Sequence, residues 1–335
     1  MNKLIGSLTL AGCVLSPSAE AQTLSHVRPV APYSIVARDS ATGQMGVAVQ
    51  SHWFSVGPVV PWAEAGVGAV ATQSFVDPRY GPLGLELMRL GRSAPEALRA
   101  LVVSDADSAV RQVAMVDAQG RVDAYTGGRA VAAAGHHEGA GFSVQANMMD
   151  RPAVWPAMAA AYESTQGDLA DRLLAALEAA EREGGDIRGR QSAAIIIVSG
   201  TNTGRPWVDR VVDLRVEDHP TPVAELRRLV TLSRAYRKLN EGDEWVTRGD
   251  LPRAVEAYGA ALSIVPDAAT NGEAAFWTGI SLAGAGQLDQ ALPYLRRAYA
   301  VHPQWAELVR RLPAAGLLPN DPALVQRLVV EMQRR

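Results

Sequence analysis

Short apolar runs separated by turn residues open the chain's regular pattern. Residues 33–38 (Tyr-Ser-Ile-Val-Ala-Arg) form one run, Asp39-Ser40-Ala41-Thr42-Gly43 supplies a turn, and residues 45–50 return, which predicts a pair of strands. Between 66 and 73, glycines and small residues alternate with valines, predicting a third strand whose glycines mark close backbone packing. The period then lengthens. Leu83, Leu87 and Leu90 recur at i, i+4 and i+7, predicting a helix over 80–90 that Gly91 stops. Ser93-Ala94-Pro95-Glu96 opens the next helix with an N-cap serine and a glutamate at the third helical position. Residues 110–116 and 121–126 flank Asp117-Ala118-Gln119-Gly120 as a hairpin. A strand over 141–146 and helices near 153–163 and 167–183 follow. The unbroken apolar run 192–198 reads as a strand buried on both faces, and an alternating strand over 208–216 closes the region.

Strands, two helices, strands, two helices, strands: this order fits a pair of antiparallel sheets held between two helix pairs by short connections. The expected fold is α+β, a four-layer αββα sandwich.

From Val223 onward the period is helical throughout. Gly242, Gly249, Ala254, Tyr258, Ala261 and Pro266 match Gly279, Gly286, Ala291, Leu295, Ala298 and Pro303, each pair 37 positions apart (279 − 242; 303 − 266). This set resembles the tetratricopeptide repeat, whose period is about 34 residues. The additional length falls in the loop 267–272, where insertion is tolerated. The bulky residue expected before Gly242 and Gly279 is poorly matched. Residues 306–334 supply a third pair or a cap. The expected division is therefore 1–21 leader, 22–31 linker, 32–225 sandwich and 226–335 all-α helical repeat. The repeats either cover the sandwich or offer a groove to a protein partner.

Composition narrows the function. Of 335 residues, 48% are apolar and 20% charged, enough for a proper core. A net charge of −3 without a basic run argues against a phosphate footprint, and 6% aromatics against a single-strand stacking platform, so no nucleic-acid partner is expected. Nothing after residue 21 approaches an apolar run long enough to span a bilayer. At the start, Lys3, an apolar stretch over 4–15, Pro17 and Ala19-Glu20-Ala21 read as an export signal with cleavage before Gln22. A second reading stays open: Leu10-Ala11-Gly12-Cys13 looks like a lipobox that would anchor the protein to a membrane through Cys13. Cys13 is the single cysteine, so the cleaved, secreted form has no disulfide, thiolate metal site or cysteine nucleophile.

Several runs stand together: residues 33–39, Gly46-Val47-Ala48-Val49-Gln50-Ser51, residues 66–73, Tyr80-Gly81-Pro82-Leu83-Gly84, residues 142–148, Gly189-Arg190-Gln191-Ser192-Ala193-Ala194 and residues 213–220. In this order, over 32–230, they resemble the family called domain of unknown function 1028. That family is placed among folds like those of N-terminal-nucleophile (Ntn) hydrolases, the sandwich already expected from element order.

Ntn hydrolases attack an amide with the side chain of their first residue, and the free α-amine, titrating near 8, is the base. Relatives commonly carry a threonine immediately before the aromatic residue of the first strand. Pro32 stands there, with no nucleophile to offer. Ser34 is the nearest hydroxyl and returns to the same strand face. Ser51 and Thr72 are other hydroxyls at strand ends. Gln50, Ser51, His52, Gln73, Asn147 and Arg190 are the expected pocket residues, because strand ends expose side chains and amides can donate to a developing oxyanion. Adjacent His136-His137-Glu138 diverge in direction and lack zincin spacing, so neither a metal nor a cofactor is expected. Two functions follow: an exported hydrolase of a small amide or peptide, or a non-catalytic binding module on the same fold.

Overall fold

A computed structural model describes residues 29–30 and 32–334. The expected leader with Cys13 and all of the expected linker except residues 29–30 lie outside the described residues. The chain runs β1 (Pro32–Arg38), β2 (Met45–Ser51), β3 (Pro61–Glu64), β4 (Gly68–Ser74), α1 (Tyr80–Arg89), α2 (Ala94–Ser104), β5 (Arg111–Asp117), β6 (Val122–Thr126), β7 (Gly135–Gly139) and β8 (Phe142–Ala146). It continues α3 (Val154–Ser164), α4 (Leu169–Arg182), β9 (Ser192–Val198), α5 (Pro206–Asp209) and β10 (Arg210–Val216). Helices α6 (Pro222–Thr247), α7 (Leu251–Ile264), α8 (Glu273–Gly284), α9 (Leu288–Val301), α10 (Trp305–Arg311) and α11 (Pro322–Met332) complete it.

The strands form two antiparallel sheets, ordered β10-β9-β2-β1-β8-β7 and β3-β4-β5-β6. Side-chain alternation divides each strand between two interfaces. Val36, Val47, Val49 and Ile196 of the larger sheet meet Ala69, Ala71, Ala114 and Val116 of the smaller. Ile35, Ala48 and Ile195 point the other way, onto Met158 of α3 and Leu173, Leu174 and Leu177 of α4. Behind the smaller sheet, Val70, Val113 and Met115 pack on Tyr80, Leu85, Met88 and Leu98 from α1 and α2. Burial on both faces explains why β9 is a continuous apolar run.

Local signals hold at the helix starts. Ser93 and Glu96 close the capping box of α2 (Glu96 N to Ser93 Oγ 3.3 Å, Ser93 N to Glu96 Oε2 2.8 Å), and Asp168 caps α4. Two strands carry no strong signal in the sequence. Both lie at sheet edges: β3 is half-buried, and β7, the polar Gly-His-His-Glu-Gly, is mostly exposed. The strand expected from Gly66 begins at Gly68, because Gly66 at φ 70° forms the turn from β3. The strand expected from Val208 begins at Arg210, after the short helix α5 that Pro206 opens.

Helix α6 crosses position 225 without a break. Val223, Leu226 and Val230 pack into the core beneath the larger sheet, whereas Leu239 packs on Ala254, Tyr258 and Ala261 of α7. Gly242 of α6 sits so close to α7 that a Cβ there would lie 2.3 Å from the Tyr258 ring. Gly279 of α8 meets Leu295 of α9 in the same way, at 2.6 Å. The two helix pairs thus reproduce one contact 37 residues apart (279 − 242; 295 − 258). Val309 of α10 and Leu328 and Met332 of α11 close the core around Phe276 and Leu295.

Candidate functional site

Toward the Pro32 end of the space between the sheets, the inward positions change from valine and alanine to amides and hydroxyls. Strand β1 presents Pro32 and Ser34 inward, four and two residues before Val36. Gln73 and Gln112, paired with each other, stand one inward step beyond the paired alanines Ala71 and Ala114, and β8 turns Ser143 and Gln145 to the same gap. Asn147 follows at its end. Ser34, Gln73, Gln112, Ser143, Gln145 and Asn147 are all fully buried.

Burial without pairing would be costly, and here the groups find each other. The Ser34 hydroxyl donates to Gln73 Oε1 at 2.6 Å and accepts from Gln145 Nε2 at 2.5 Å. Gln73 Nε2 donates to Gln112 Oε1 at 2.6 Å and to the Pro32 carbonyl at 3.3 Å. Gln112 Oε1 also accepts from Asn147 Nδ2 at 2.9 Å, while its Nε2 donates to Thr126 Oγ1 and the Ala146 carbonyl, each at 2.9 Å. Gln145 Oε1 accepts from Ser143 Oγ at 3.1 Å, and Thr126 Oγ1 meets His136 Nδ1 at 2.8 Å. Asn147 Oδ1 is buried without a partner.

The larger sheet splits the expected pocket residues. Ser34, Ser51, Gln73 and Asn147 lie on the inter-sheet side; Ser51 pairs with Pro32 and Ser192 across the strands. Gln50 pairs with Tyr33 and faces the opposite side, toward α4. His52 is exposed beyond the strand, its backbone N–H donating to Asp186 Oδ2 at 3.0 Å. Arg190 is exposed before β9, its Nε 3.5 Å from Glu181 Oε1. Thr72 points away from the gap and donates to the Asp77 carbonyl. Sequence reasoning missed Gln112 and Gln145; each was visible as a polar residue alternating with apolar ones in an otherwise apolar strand.

Asp186, in the loop between α4 and β9, is a hydrogen-bonding hub. It is buried, and besides His52 it accepts from Arg188 N at 2.9 Å, Arg188 Nε at 3.0 Å and Arg188 Nη2 at 2.8 Å. Arg188 in turn reaches the Pro29 carbonyl at 3.2 Å. The loop is thereby tied to the end of β2 and to the segment entering β1.

Among the described residues, no three His, Cys, Asp or Glu side chains converge to hold a metal ion. No described helix is long and apolar enough to cross a membrane. A cleft of about 520 Å³ opens in the helical region instead, lined by Asp243, Val246, Tyr258, Trp277, Ile280 and Leu317. Val246 and Leu317 are exposed there, and Tyr258 donates to Asp243 Oδ1 at 2.7 Å.

Residues 32–226 match a family of unknown function, DUF1028. The crystal structure of protein SPO2555 from Silicibacter pomeroyi, described under the same family, aligns with a TM-score of 0.54 at 30% identity. The alignment covers 60% of this chain and 84% of that one. No curated protein matches.

Proposed function

The chain belongs to the DUF1028 family of unknown function, and from that premise we propose that it is an exported, non-catalytic binding protein. Its N-terminal part is read as a four-layer sandwich of the Ntn-hydrolase kind; two sheets with a helix pair behind each support that reading. The remaining helices are read as a tetratricopeptide-like extension, supported by the recurring Gly242–Tyr258 and Gly279–Leu295 contacts. The apolar cleft beside Trp277 is the place where that extension would receive a protein partner. Export rests on the leader pattern ending in Ala19-Glu20-Ala21, with Cys13 as the lipid anchor if the lipobox is used.

One observation carries the choice of binding over catalysis. Pro32 occupies the place of the nucleophile, and the neighbouring hydroxyl of Ser34 already donates to Gln73 and accepts from Gln145. A nucleophile needs a base to take its proton. Gln73 is an amide and cannot accept that proton, and among the described residues no imidazole or carboxylate hydrogen-bonds to Ser34 Oγ, so the base would have to be an α-amine freed by cleavage before Ser34.

The test is release of amine from a panel of small amides and dipeptides by the mature protein, with intact mass measured in parallel. The expected results are a chain that begins at Gln22 and no turnover, in parent and in Ser34→Ala alike. Amide cleavage that disappears in Ser34→Ala, in a chain trimmed to begin at Ser34, would overturn the proposal and establish the hydrolase.

A further inference from the structure

On the face of the larger sheet turned to α4, three side chains end in buried polar atoms that lack a hydrogen-bond partner: Tyr33 Oη, both ends of the Gln50 amide, and Glu181 Oε1. Tyr33 and Gln50 stand directly opposite in the β1–β2 register, so both side chains leave the same face, their Cβ atoms about 5 Å apart. Glu181 comes from the last turn of α4, which packs on both strands. Its charge acts on the Tyr33 hydroxyl, whose ionisation burial already pushes well up, and Glu181 is itself raised by burial. Arg190 lies on the solvent side, 3.5 Å from Glu181 Oε1. The turn through Gly185, at φ 61°, covers the ring; a Cβ there would fall 3.2 Å from Tyr33 Cε1.

The contrast with the other side of the same strands is informative. Across the sheet, Gln73, Gln112 and Gln145 have partners at both ends of their amides. Gln50 has none at either end, although it is equally buried. An unmade hydrogen bond at a buried amide carries its full desolvation penalty, so an occupant supplying both a donor and an acceptor would remove a standing cost.

We infer that Tyr33, Gln50, Glu181 and Arg190 form a binding site for a small neutral primary amide. The complement of a glutamine amide is another carboxamide: its carbonyl accepts from Gln50 Nε2 and its N–H donates to Gln50 Oε1, in one plane. Tyr33 is a neutral donor for the remaining carbonyl lone pair, and Glu181 an acceptor for the remaining N–H. Arg190 balances the Glu181 charge, which selects a neutral ligand over an ammonium or a carboxylate. The full burial of Gln50 and Tyr33 selects one of few atoms. This site lies on the face of β1 opposite Ser34, and it goes beyond the reading given above: it holds whether or not the protein cleaves anything.

Acetamide is the probe, titrated into the full mature chain while the Gln50 side-chain NH₂ resonances are followed by NMR. Acetamide should give saturable shifts; N,N-dimethylacetamide, which has no N–H, and acetate should give none. Gln50→Leu should abolish the acetamide response elsewhere in the site, and Tyr33→Phe, which keeps the ring packing, should weaken it about five- to tenfold. No saturable response to acetamide means that only water or nothing occupies the site, and overturns the proposal. So does a Tyr33→Phe or a folded Gln50→Leu protein that binds acetamide as the parent does.

Discussion

The hydroxyl of Ser34 on β1 donates to Oε1 of Gln73 on β4 over 2.6 Å, a bond that joins the two sheets across the gap between them. It is one link in a chain of amides that runs from Ser34 through Gln73 and Gln112 to Asn147. Residues that a search for a nucleophile would single out are here the polar end of the inter-sheet core.

Ser34→Ala therefore tests structure directly. The substitution leaves Gln73 Oε1 and one N–H of Gln145 unpaired in a place with no exposure. The expected loss is about 1–3 kcal/mol of stability, read from urea unfolding, without a change in the slope of the transition. A loss near zero would mean that Ser34 is replaceable and that the two amides find other partners.

The paired glycines make a second test. In α6, Gly242→Ala would set a Cβ 2.3 Å from the Tyr258 ring, and Tyr258 is too deeply buried to swing aside. Overpacking outweighs the gain in helix propensity, and a net loss of about 1–2 kcal/mol is expected. Gly259 of α7 is the control. A Cβ there meets nothing within 4 Å, so Gly259→Ala should instead stabilise by about 0.5–1 kcal/mol. Thermal unfolding of the two variants beside the parent separates the signs.

Asp186 holds its loop through three N–H groups of Arg188 and one of His52. Asp186→Ala removes them all, leaving the backbone N–H of His52 without this acceptor and the Arg188 guanidinium without its carboxylate. A loss of about 2–3 kcal/mol is expected, together with faster amide exchange over 184–190 than over β9. Equal protection in variant and parent would assign the loop's order to packing alone.

Glu181 gives the pH dependence. Burial raises its folded-state pKa, with Arg190 and then the Tyr33 hydroxyl acting in the opposite sense and Glu178 adding to the rise. A carboxyl whose folded pKa lies above its unfolded value of about 4.3 stabilises fully below that value. Its contribution is lost as pH rises through the folded pKa, where the fold must release the proton. Glu181→Gln cannot titrate. The variant should match the parent near pH 4, within about half a unit, and become the more stable of the two as pH rises toward neutral. Denaturation midpoints across that range measure it; a parent that gains on the variant with rising pH would show that the Arg190 pairing dominates burial.

Much of this protein is legible one segment at a time. The capping box at Ser93 and Glu96, the turn at Asp117-Ala118-Gln119-Gly120 and the doubly buried run of β9 are local effects, settled by a side chain's reach or by which faces of a strand meet water. Edge strands β3 and β7 are not, since half-exposed residues at a sheet margin need no regular alternation. The 37-residue recurrence of glycine and its bulky partner is likewise in the sequence, because it is a contact between neighbouring helices. Strand alternation even assigns Ser34 and Gln50 to opposite faces. Which groups wait on each face is decided elsewhere: Ser34 meets Gln73 from 39 positions away and Gln145 from 111 away, while Gln50 faces α4 with no hydrogen-bond partner for its amide. Such pairings follow from how two sheets and a helix layer stack, a packing outcome of the whole chain that no local period encodes.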